Sequence, residues 1–177
     1  MNKQEIRAMM TARKKAYNAV EIRDKSVKII LRLKETEEFR RAKSILLYWS
    51  MPGEVYTHDL AVETIAGKSV FLPVVSGNNL LIREFTGVGD LKEGQAFSIL
   101  EPAPNAKEAD IADIDLALVP GLAFDLKGGR LGRGKGYYDK LLSCANLYKI
   151  GVCFDFQLLD KIPCDEHDVL MDKVITG

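Results

Sequence analysis

The chain has 177 residues and 47% hydrophobic content, which is enough apolar material for one sizeable core and too little length for two independent ones. Lys and Arg balance Asp and Glu at 25 each, so the net charge is zero and a uniformly basic nucleic-acid binder is not expected. Disordered and collagen-like chains are excluded by the same composition, so we expect one globular domain over residues 1–177.

The amino-terminal segment departs from this balance, because residues 1–43 hold 13 Lys and Arg against 6 Asp and Glu. Such a segment can face nucleic acid, a membrane or a phosphorylated small molecule, or it can form solvated helix faces. Its first residues are too charged for a signal peptide, and no run in the chain approaches the ~18 apolar residues of a membrane span. The three cysteines show no CxxC spacing. We therefore expect a cytoplasmic protein with reduced cysteines.

Hydrophobic periodicity divides the first part of the chain into helices and a strand. Apolar residues at helical spacing predict two helices, at about residues 3–17 and 21–34. The apolar run SILLYWS at residues 44–50 predicts a strand that is buried on both faces. Thr57 is then positioned as the N-cap of a helix that reaches about residue 66.

Strands alternate with helices in the rest of the chain. Apolar runs predict strands at residues 69–75, 80–85, 115–120 and 148–154, and a helix follows at about residues 136–144. This order predicts an α/β fold with a layered, mostly parallel open sheet and helices on both faces. Ligand sites in such folds lie where loops leave the carboxyl ends of the strands, and the longest of these loops follows Pro120.

The segment after that strand is rich in glycine and cations. Residues 119–142 read VPGLAFDLKGGRLGRGKGYYDKLL, with five glycines between Gly128 and Gly136 and three cationic side chains, Arg130, Arg133 and Lys135, among them. Glycines allow successive backbone N–H groups to converge on an anion, and the cations neutralise its charge. The pattern is typical of a phosphate-binding loop.

Three other interpretations of this segment are weaker. Gly129 to Lys135 matches the G-x4-G-K part of a Walker A loop, but Gly136 stands where the magnesium-binding Ser or Thr is required. The Rossmann fingerprint has a different spacing of its third glycine and lies earlier in a chain. A merely flexible turn does not account for the regular alternation of glycines with cations.

The stretch PGLAFD followed by GRLGRGKGYYDKLL closely resembles the signature of the 5-formyltetrahydrofolate cyclo-ligase family. The resemblance extends to Lys3 and Arg7 in the first helix and to WSMPGEV after the first strand. It implies an open, Rossmann-like α/β fold and an enzyme that uses ATP and Mg²⁺ to convert 5-formyltetrahydrofolate into 5,10-methenyltetrahydrofolate, with release of ADP and phosphate.

The resemblance also implies roles for individual residues. The residues expected to bind ATP are Lys3, Arg7, Arg130, Leu131, Gly132, Arg133, Gly134, Lys135, Gly136, Tyr137 and Tyr138. Those expected to bind the folate are Trp49, Glu54, Arg133, Gly134, Lys135, Gly136 and Tyr137. Arg133 and Lys135 are the expected catalytic residues.

Position along the chain supports some of these roles and leaves alternatives open. Lys3 and Arg7 are four residues apart and share a helix face, so both can reach one triphosphate, and Arg13 is a third candidate. Glu54 follows the first strand, where it can meet pterin N–H donors or remain a solvated loop residue. Trp49, the only tryptophan, can pack against the folate or belong to the core.

Two carboxylates match the magnesium positions that the resemblance implies, Asp139 and Asp168. Mg²⁺ prefers one or two carboxylates together with phosphate oxygens and water. Asp139 can alternatively pair with Arg133, and Asp172 competes with Asp168 for the second position. His167, in an acidic loop, is expected to be solvated.

Two other functions remain open on the sequence alone. A phosphate-binding sugar isomerase or transferase would use the glycine-rich segment without hydrolysing ATP. An RNA-binding module would use the basic amino-terminal helices, although the neutral net charge disfavours it. We expect a monomer that binds a small-molecule folate and neither nucleic acid nor membrane.

Overall fold

The computed structural model describes residues 1–94 and 99–177. The α-helices are α1 (Lys3–Lys14), α2 (Ala19–Glu35), α3 (Glu37–Arg41), α4 (His58–Thr64) and α5 (Tyr137–Leu142). The strands are β1 (Ser44–Leu46), β2 (Ser69–Ser76), β3 (Asn79–Glu84), β4 (Leu91–Glu93), β5 (Leu100–Pro102), β6 (Glu108–Ala109), β7 (Leu116–Val119), β8 (Ala123–Phe124), β9 (Arg130–Leu131), β10 (Tyr148–Cys153) and β11 (Lys173–Thr176).

Seven of these strands form one sheet in the order β11-β10-β7-β1-β2-β3-β6. The five strands from β11 to β2 pair in parallel, and β3 and β6 add antiparallel partners at one edge. Two small antiparallel hairpins, β4–β5 and β8–β9, lie outside this sheet. The prediction of a mostly parallel α/β sheet is confirmed.

Helices cover both faces of the sheet because the central strands are apolar on both sides. One buried cluster joins α2, α3 and α4 to residues such as Ile45, Leu118 and Ile150. The other joins α5 to residues on the opposite face, among them Leu46 and Val119. Near-continuous apolar strands are typical of parallel sheets that are covered on both faces.

The first two helices begin at asparagine caps that hydrophobic periodicity alone did not reveal. The side chain of Asn2 accepts hydrogen bonds from the backbone of α1, and Asn18 does the same for α2, each within a capping box. Because Asn18 must adopt an extended conformation to cap α2, α1 ends at Lys14 and not near Tyr17 as predicted. No helix of the described ranges is both long and apolar enough to cross a membrane.

The first strand is shorter than predicted. β1 ends at Leu46, which pairs with Phe71 of β2, whereas residues 47–50 leave the sheet. Thr57 lies at the N-cap position of α4, but its hydroxyl donates to the carbonyl of Tyr48 and makes no cap hydrogen bond. The predicted N-cap position is confirmed, and the Thr57 side chain ties the start of α4 to the chain that leaves β1.

The early end of β1 exposes one side of the next strand. Beyond Phe71, β2 continues to Ser76 with β3 as its partner. Pro73, which has no N–H to donate, fits within β2 because β1 no longer runs beside it. The β2–β3 ribbon thus projects past β1 and forms a wall.

The chain reverses its direction of winding between β1 and β7. From β1 it proceeds through α4 to β2 on one side, whereas from β7 it proceeds through α5 to β10 on the other. The loops that follow β1 and β7 separate at this point and leave a crevice between them. Ligands of open α/β sheets bind in such a crevice.

Candidate active site

A cavity of about 430 Å³ occupies this crevice. One side consists of the glycine-rich segment from Arg130 to Asp139, and α1 contributes Lys3 and Arg7. The loop after β1 and the projecting β2–β3 ribbon form the opposite side. Residues 95–98 are not described, so the cavity is defined by the remaining chain.

The β8–β9 hairpin positions the glycine-rich segment. Asp125, which is 3% exposed, accepts hydrogen bonds from the backbone N–H groups of Lys127, Gly129 and Ile162, so its carboxylate organises the turn. Gly128 is required there, because its φ is +92° and a Cβ would lie 2.2 Å from the Met171 carbonyl oxygen. The aspartate of the PGLAFD motif therefore serves the loop's structure.

Helix α1 places two cations at the cavity because its apolar face packs against this hairpin. Ile6 and Met10 are buried against Leu131. With that face packed, the Arg7 side chain reaches the glycine-rich segment, and its Nε donates to the carbonyl of Gly132 at 3.0 Å. Lys3 also lines the cavity.

Arg13, the third candidate of this helix, lies elsewhere. Its guanidinium donates to the carbonyl of Phe156 at 2.9 Å, and it does not line the cavity. The difference follows from helix geometry, because residues 3 and 7 are one turn apart whereas residue 13 points away from their face.

Lys3 bridges two acids from the chain's carboxyl-terminal part. Its Nζ lies 2.6 Å from Asp165 and 2.5 Å from Asp168. Burial acts against the ammonium, but the hydrogen bonds to both carboxylates outweigh it and raise the pKa of Lys3. Burial likewise acts against the Asp168 carboxylate, yet its bonds with Lys3 and the Asp165 backbone hold its pKa below the ordinary value.

Arg130 is the most buried cation of the cavity. Its side chain is 4% exposed and pairs with Asp139 at 2.9 Å, while Nη1 donates to the Pro120 carbonyl. Its Nε has no hydrogen-bond partner among the described residues. Asp139 thus pairs with Arg130 and not with Arg133, since Arg130 enters from β9 beneath the loop.

Asp139 and Asp168, the two carboxylates expected to hold magnesium, lie on segments that are hydrogen-bonded to each other. Asp139 accepts from the backbone N–H of Val169, the residue after Asp168. Asp172 faces away from the cavity and pairs with Lys149, which favours Asp168 as the second carboxylate. Within residues 1–94 and 99–177 no group of three or more His, Cys, Asp or Glu side chains forms a metal cage.

The loop after β1 holds Glu54 in a defined position. One oxygen of its carboxylate accepts from the Met51 N–H at 2.9 Å, and the other accepts from Arg133 at 2.9 Å. Gly53, with a φ of +77°, lets the stem of Lys14 pass, because a Cβ would overlap the Lys14 Cε. Burial and the nearby Arg133 lower the pKa of Lys14.

Trp49 is half-buried and lines the cavity. Its ring stacks on His58 with centroids 3.8 Å apart and contacts Phe85 at 5.7 Å. Burial lowers the pKa of His58, whose Nε2 lies 3.0 Å from the Ser50 carbonyl oxygen. Trp49 is therefore both anchored in the core and available to a ligand. His167, by contrast, is 90% exposed and remote from these contacts.

Two tyrosines complete the glycine-rich side. Tyr138 lies against Arg130, with the guanidinium 5.7 Å from its ring centroid, and burial raises the pKa of its hydroxyl. The Tyr137 hydroxyl lies 3.4 Å from the carbonyl of Gly77 on the β2–β3 ribbon. The glycine-rich side and the ribbon thus meet across the cavity.

The apolar wall of the cavity was not predicted from the sequence. The β2–β3 ribbon and the β4–β5 hairpin contribute Pro73, Val75, Leu80, Leu100 and Glu101. A signal was present, because a proline inside an apolar strand indicates that one edge of the strand is unpaired. The residues that lie beside this proline could be identified only once the strand order was known.

A cationic glycine-rich segment, several carboxylates and an apolar wall surround one cavity at the switch point of the sheet. This combination places the chain among α/β proteins with a ligand-type cavity at the switch point, one side of it suited to an anion and the other to an apolar group.

Comparison with known proteins gives the particular family. The sequence model described as the 5-formyltetrahydrofolate cyclo-ligase family matches residues 1–177. A probable 5-formyltetrahydrofolate cyclo-ligase of Schizosaccharomyces pombe is 35% identical over 175 residues, covering 88% of this chain and 85% of the relative. The chain therefore belongs to the 5-formyltetrahydrofolate cyclo-ligase family and is an enzyme of that family, as the resemblance in the sequence predicted.

Two solved structures match nearly the whole of this chain. The NMR structure of Aquifex aeolicus 5,10-methenyltetrahydrofolate synthetase matches with a TM-score of 0.89 and 37% identity, covering 99% of this chain and 90% of that one. A 5,10-methenyltetrahydrofolate synthetase from Mycoplasma pneumoniae matches with a TM-score of 0.79 and 25% identity, covering 99% and 98%.

Proposed function

We propose that this enzyme uses ATP and Mg²⁺ to convert 5-formyltetrahydrofolate into 5,10-methenyltetrahydrofolate, releasing ADP and phosphate. The observation that carries this proposal is the Arg133–Glu54 ion pair, which joins the glycine-rich segment to the loop after β1 across one cavity. Both substrates would then meet where these two segments face each other. Membership of the family supports the same reaction.

The ATP phosphates would lie against the glycine-rich segment. Gly134 and Gly136 have φ values of +97° and +67°, conformations in which backbone N–H groups can turn toward an anion. Lys135 is exposed and Arg133 is half-exposed, so both can pair with phosphate oxygens. Arg7 extends the positive charge along the same side, and Lys3 would reach the phosphates by sharing or leaving its partners Asp165 and Asp168.

The folate would lie between the loop after β1 and the apolar wall. Trp49 and Met51 offer apolar contacts, and Glu54 offers a carboxylate to N–H donors of the ligand. Arg133 to Tyr137 would contact both ligands, because this stretch lines the cavity and Arg133 reaches Glu54 on the loop after β1.

Mg²⁺ would be held by Asp139 and Asp168. The donor set fits this ion, because two carboxylates leave several positions to phosphate oxygens and water, as Mg²⁺ prefers. Each carboxylate is paired with a cation in this structure, Asp168 with Lys3 and Asp139 with Arg130, so Mg²⁺ would have to share or displace these partners. When bound, Mg²⁺ neutralises charge on the transferring phosphoryl group.

The proposed reaction activates the formyl group by phosphorylation. The formyl oxygen attacks the γ-phosphorus of ATP, the bond to the ADP oxygen breaks, and Arg133 and Lys135 neutralise the transferring group. N10 then attacks the activated formyl carbon and loses its proton. Cleavage of the carbon–oxygen bond releases phosphate and leaves the methenyl bridge. Holding N10 next to the carbon makes ring closure effectively intramolecular.

An isotope experiment tests this sequence of steps. Substrate carrying heavy oxygen in the formyl group is turned over with unlabelled ATP, and the released phosphate is analysed by mass spectrometry. Heavy oxygen in the phosphate is the expected result. Heavy oxygen in water or on the folate, with ADP still formed, would contradict formyl phosphorylation. Absence of ATP turnover with this substrate would instead favour the isomerase or transferase class.

We propose that residues 1–177 form a single domain that acts as a cytoplasmic monomer on a small-molecule folate. Nucleic acid and membrane are not proposed partners.

A further inference from the structure

The acids around the cavity differ in whether they have a cationic partner. Among the described residues the cavity is lined by Glu54, Glu101, Asp139, Asp165 and Asp168. Four of these pair with Arg133, Arg130 or Lys3 at 2.9 Å or less. None of the ion pairs within the described residues includes Glu101.

Glu101 also lies apart from the phosphate-binding side. It belongs to β5, which pairs with β4, and its half-buried side chain rests on Gly94. A Cβ at Gly94 would come within 2.6 Å of the Glu101 carboxyl group, so glycine is needed to admit it. The same part of the cavity is formed by the apolar side chains of Pro73, Val75 and Leu80.

The surroundings disfavour an isolated charge there. Burial raises the pKa of Glu101, although a hydrogen bond from the Val75 backbone and the charge of Arg83 act in the opposite direction. Lys92 is opposite Glu101 across the hairpin but forms no ion pair with it. A carboxylate in apolar surroundings gains more than an exposed one from additional N–H donors.

We propose that Glu101 is a substrate-binding residue that accepts two hydrogen bonds from the 2-amino and N3–H groups of the folate's pterin ring, while the apolar wall contacts the ring faces. This inference rests on the proposed function, because it assigns the orientation of that substrate. The two N–H groups lie on one edge of the ring, and their spacing matches the two oxygens of a carboxylate.

Glu54 is less suited to the same edge. Its two oxygens already accept from Met51 and Arg133, and the second of these partners belongs to the phosphate-binding side. Glu101 at the apolar end and Glu54 beside the cations would therefore hold opposite ends of the ring system. The formyl group would then be directed toward the glycine-rich segment.

The test compares Glu101→Gln with the wild-type enzyme. Gln keeps the shape but replaces one acceptor with a donor. We expect the KM for 5-formyltetrahydrofolate to rise about 10- to 100-fold, the loss expected for hydrogen bonds to a charged group. The KM for ATP and the melting temperature should change little. Glu93→Gln, on the exposed side of the same hairpin, is the matched control and should leave both KM values unchanged.

A second ligand separates binding from a structural role. The probe is a 5-formyltetrahydrofolate analogue in which hydrogen replaces the 2-amino group. The wild type should bind it more weakly, and Glu101→Gln should cause a clearly smaller loss of affinity for it than for the natural ligand. Equal losses for both ligands, or a folate KM unchanged in the active variant, would overturn the assignment. A wild-type enzyme that does not turn over 5-formyltetrahydrofolate would instead overturn the proposed function and this inference with it.

Discussion

Arg133 of the glycine-rich segment and Glu54 of the loop after β1 form an ion pair of 2.9 Å across the mouth of the cavity. The Glu54 side chain is 13% exposed and is also held by the Met51 N–H, whereas the Arg133 side chain is 43% exposed. The acid is therefore fixed and the cation can move. Under the proposed function, Arg133 would exchange Glu54 for a phosphate oxygen while the Met51 N–H still holds Glu54.

Removal of the loop cations should impair catalysis far more than folding. For Arg133→Ala and Lys135→Ala we expect kcat to fall about 100-fold or more, because each cation would neutralise charge that develops in phosphoryl transfer. The free energy of unfolding should change by less than about 0.5 kcal/mol, since both side chains are exposed. Steady-state kinetics and urea unfolding measure the two effects.

Lys127→Ala provides the matched control for these variants. Lys127 is an exposed cation of the same glycine-rich stretch, but it does not line the cavity. Its replacement should change neither kcat nor stability. A loss of activity in proportion to stability for all three variants would contradict a catalytic role.

Glu54→Gln should affect the folate more than ATP. We expect the folate KM to rise about tenfold, because a charged acceptor is replaced by a neutral one. The KM for ATP should change little or fall, since Arg133 loses its competing partner. A double-mutant cycle with Arg133→Gln should give a stability coupling below about 1 kcal/mol, because the Arg133 side chain is 43% exposed and solvent screens the pair. A larger effect on ATP than on folate would mean that the loop is misassigned.

Asp139→Asn should change both stability and magnesium dependence. Arg130, at 4% exposure, would lose its carboxylate partner, so we expect a loss of about 2 to 3 kcal/mol in the free energy of unfolding. The magnesium concentration required for half-maximal rate should rise about tenfold. Asp172→Asn is the control, because Asp172 pairs with Lys149 outside the cavity. An unchanged magnesium titration for Asp139→Asn would remove this residue from the metal site.

The stack of Trp49 on His58 should report acid titration. Burial lowers the pKa of His58, with Arg23 acting in the same direction and Ser50 and Asp59 opposing it. The neutral ring therefore stabilises the fold at a pH above the unfolded value of about 6.5, and this contribution is lost as the pH falls through the folded pKa. Fluorescence of Trp49, the only tryptophan, should change with a midpoint below 6.5.

His58→Phe is the matched variant for this titration. Phenylalanine retains a ring against Trp49 but has no titratable group, so the fluorescence change between pH 7 and 5 should disappear. A midpoint above 6.5 in the wild type, or a change that persists in the variant, would contradict the assignment to His58.

Local sequence signals were sufficient to predict the helices, the class of sheet and the glycine-rich segment. Apolar periodicity depends on neighbouring residues, so it predicted α1 and α2 to within a few residues, and the asparagine caps explain the remaining differences. The PGLAFD and GRLGRGKGYYDKLL motifs were sufficient for the family, because they lie within one continuous stretch. These features are determined over short separations along the chain.

The partners of the cavity residues depended on the order of strands. Lys3 meets Asp168 across 165 positions of the chain, and Arg133 meets Glu54 across 79. Neither contact follows from spacing, because the Arg133–Glu54 pair requires β1 and β7 to be neighbours and the Lys3–Asp168 pair requires α1 to pack on the β8–β9 hairpin. The sequence by itself determined which segment suits phosphate and which family the chain resembles. Only the tertiary structure decided that Asp139 faces Arg130, that Pro73 and Val75 form a wall and that Glu101 lies against it, since these contacts join segments that packing alone brings together.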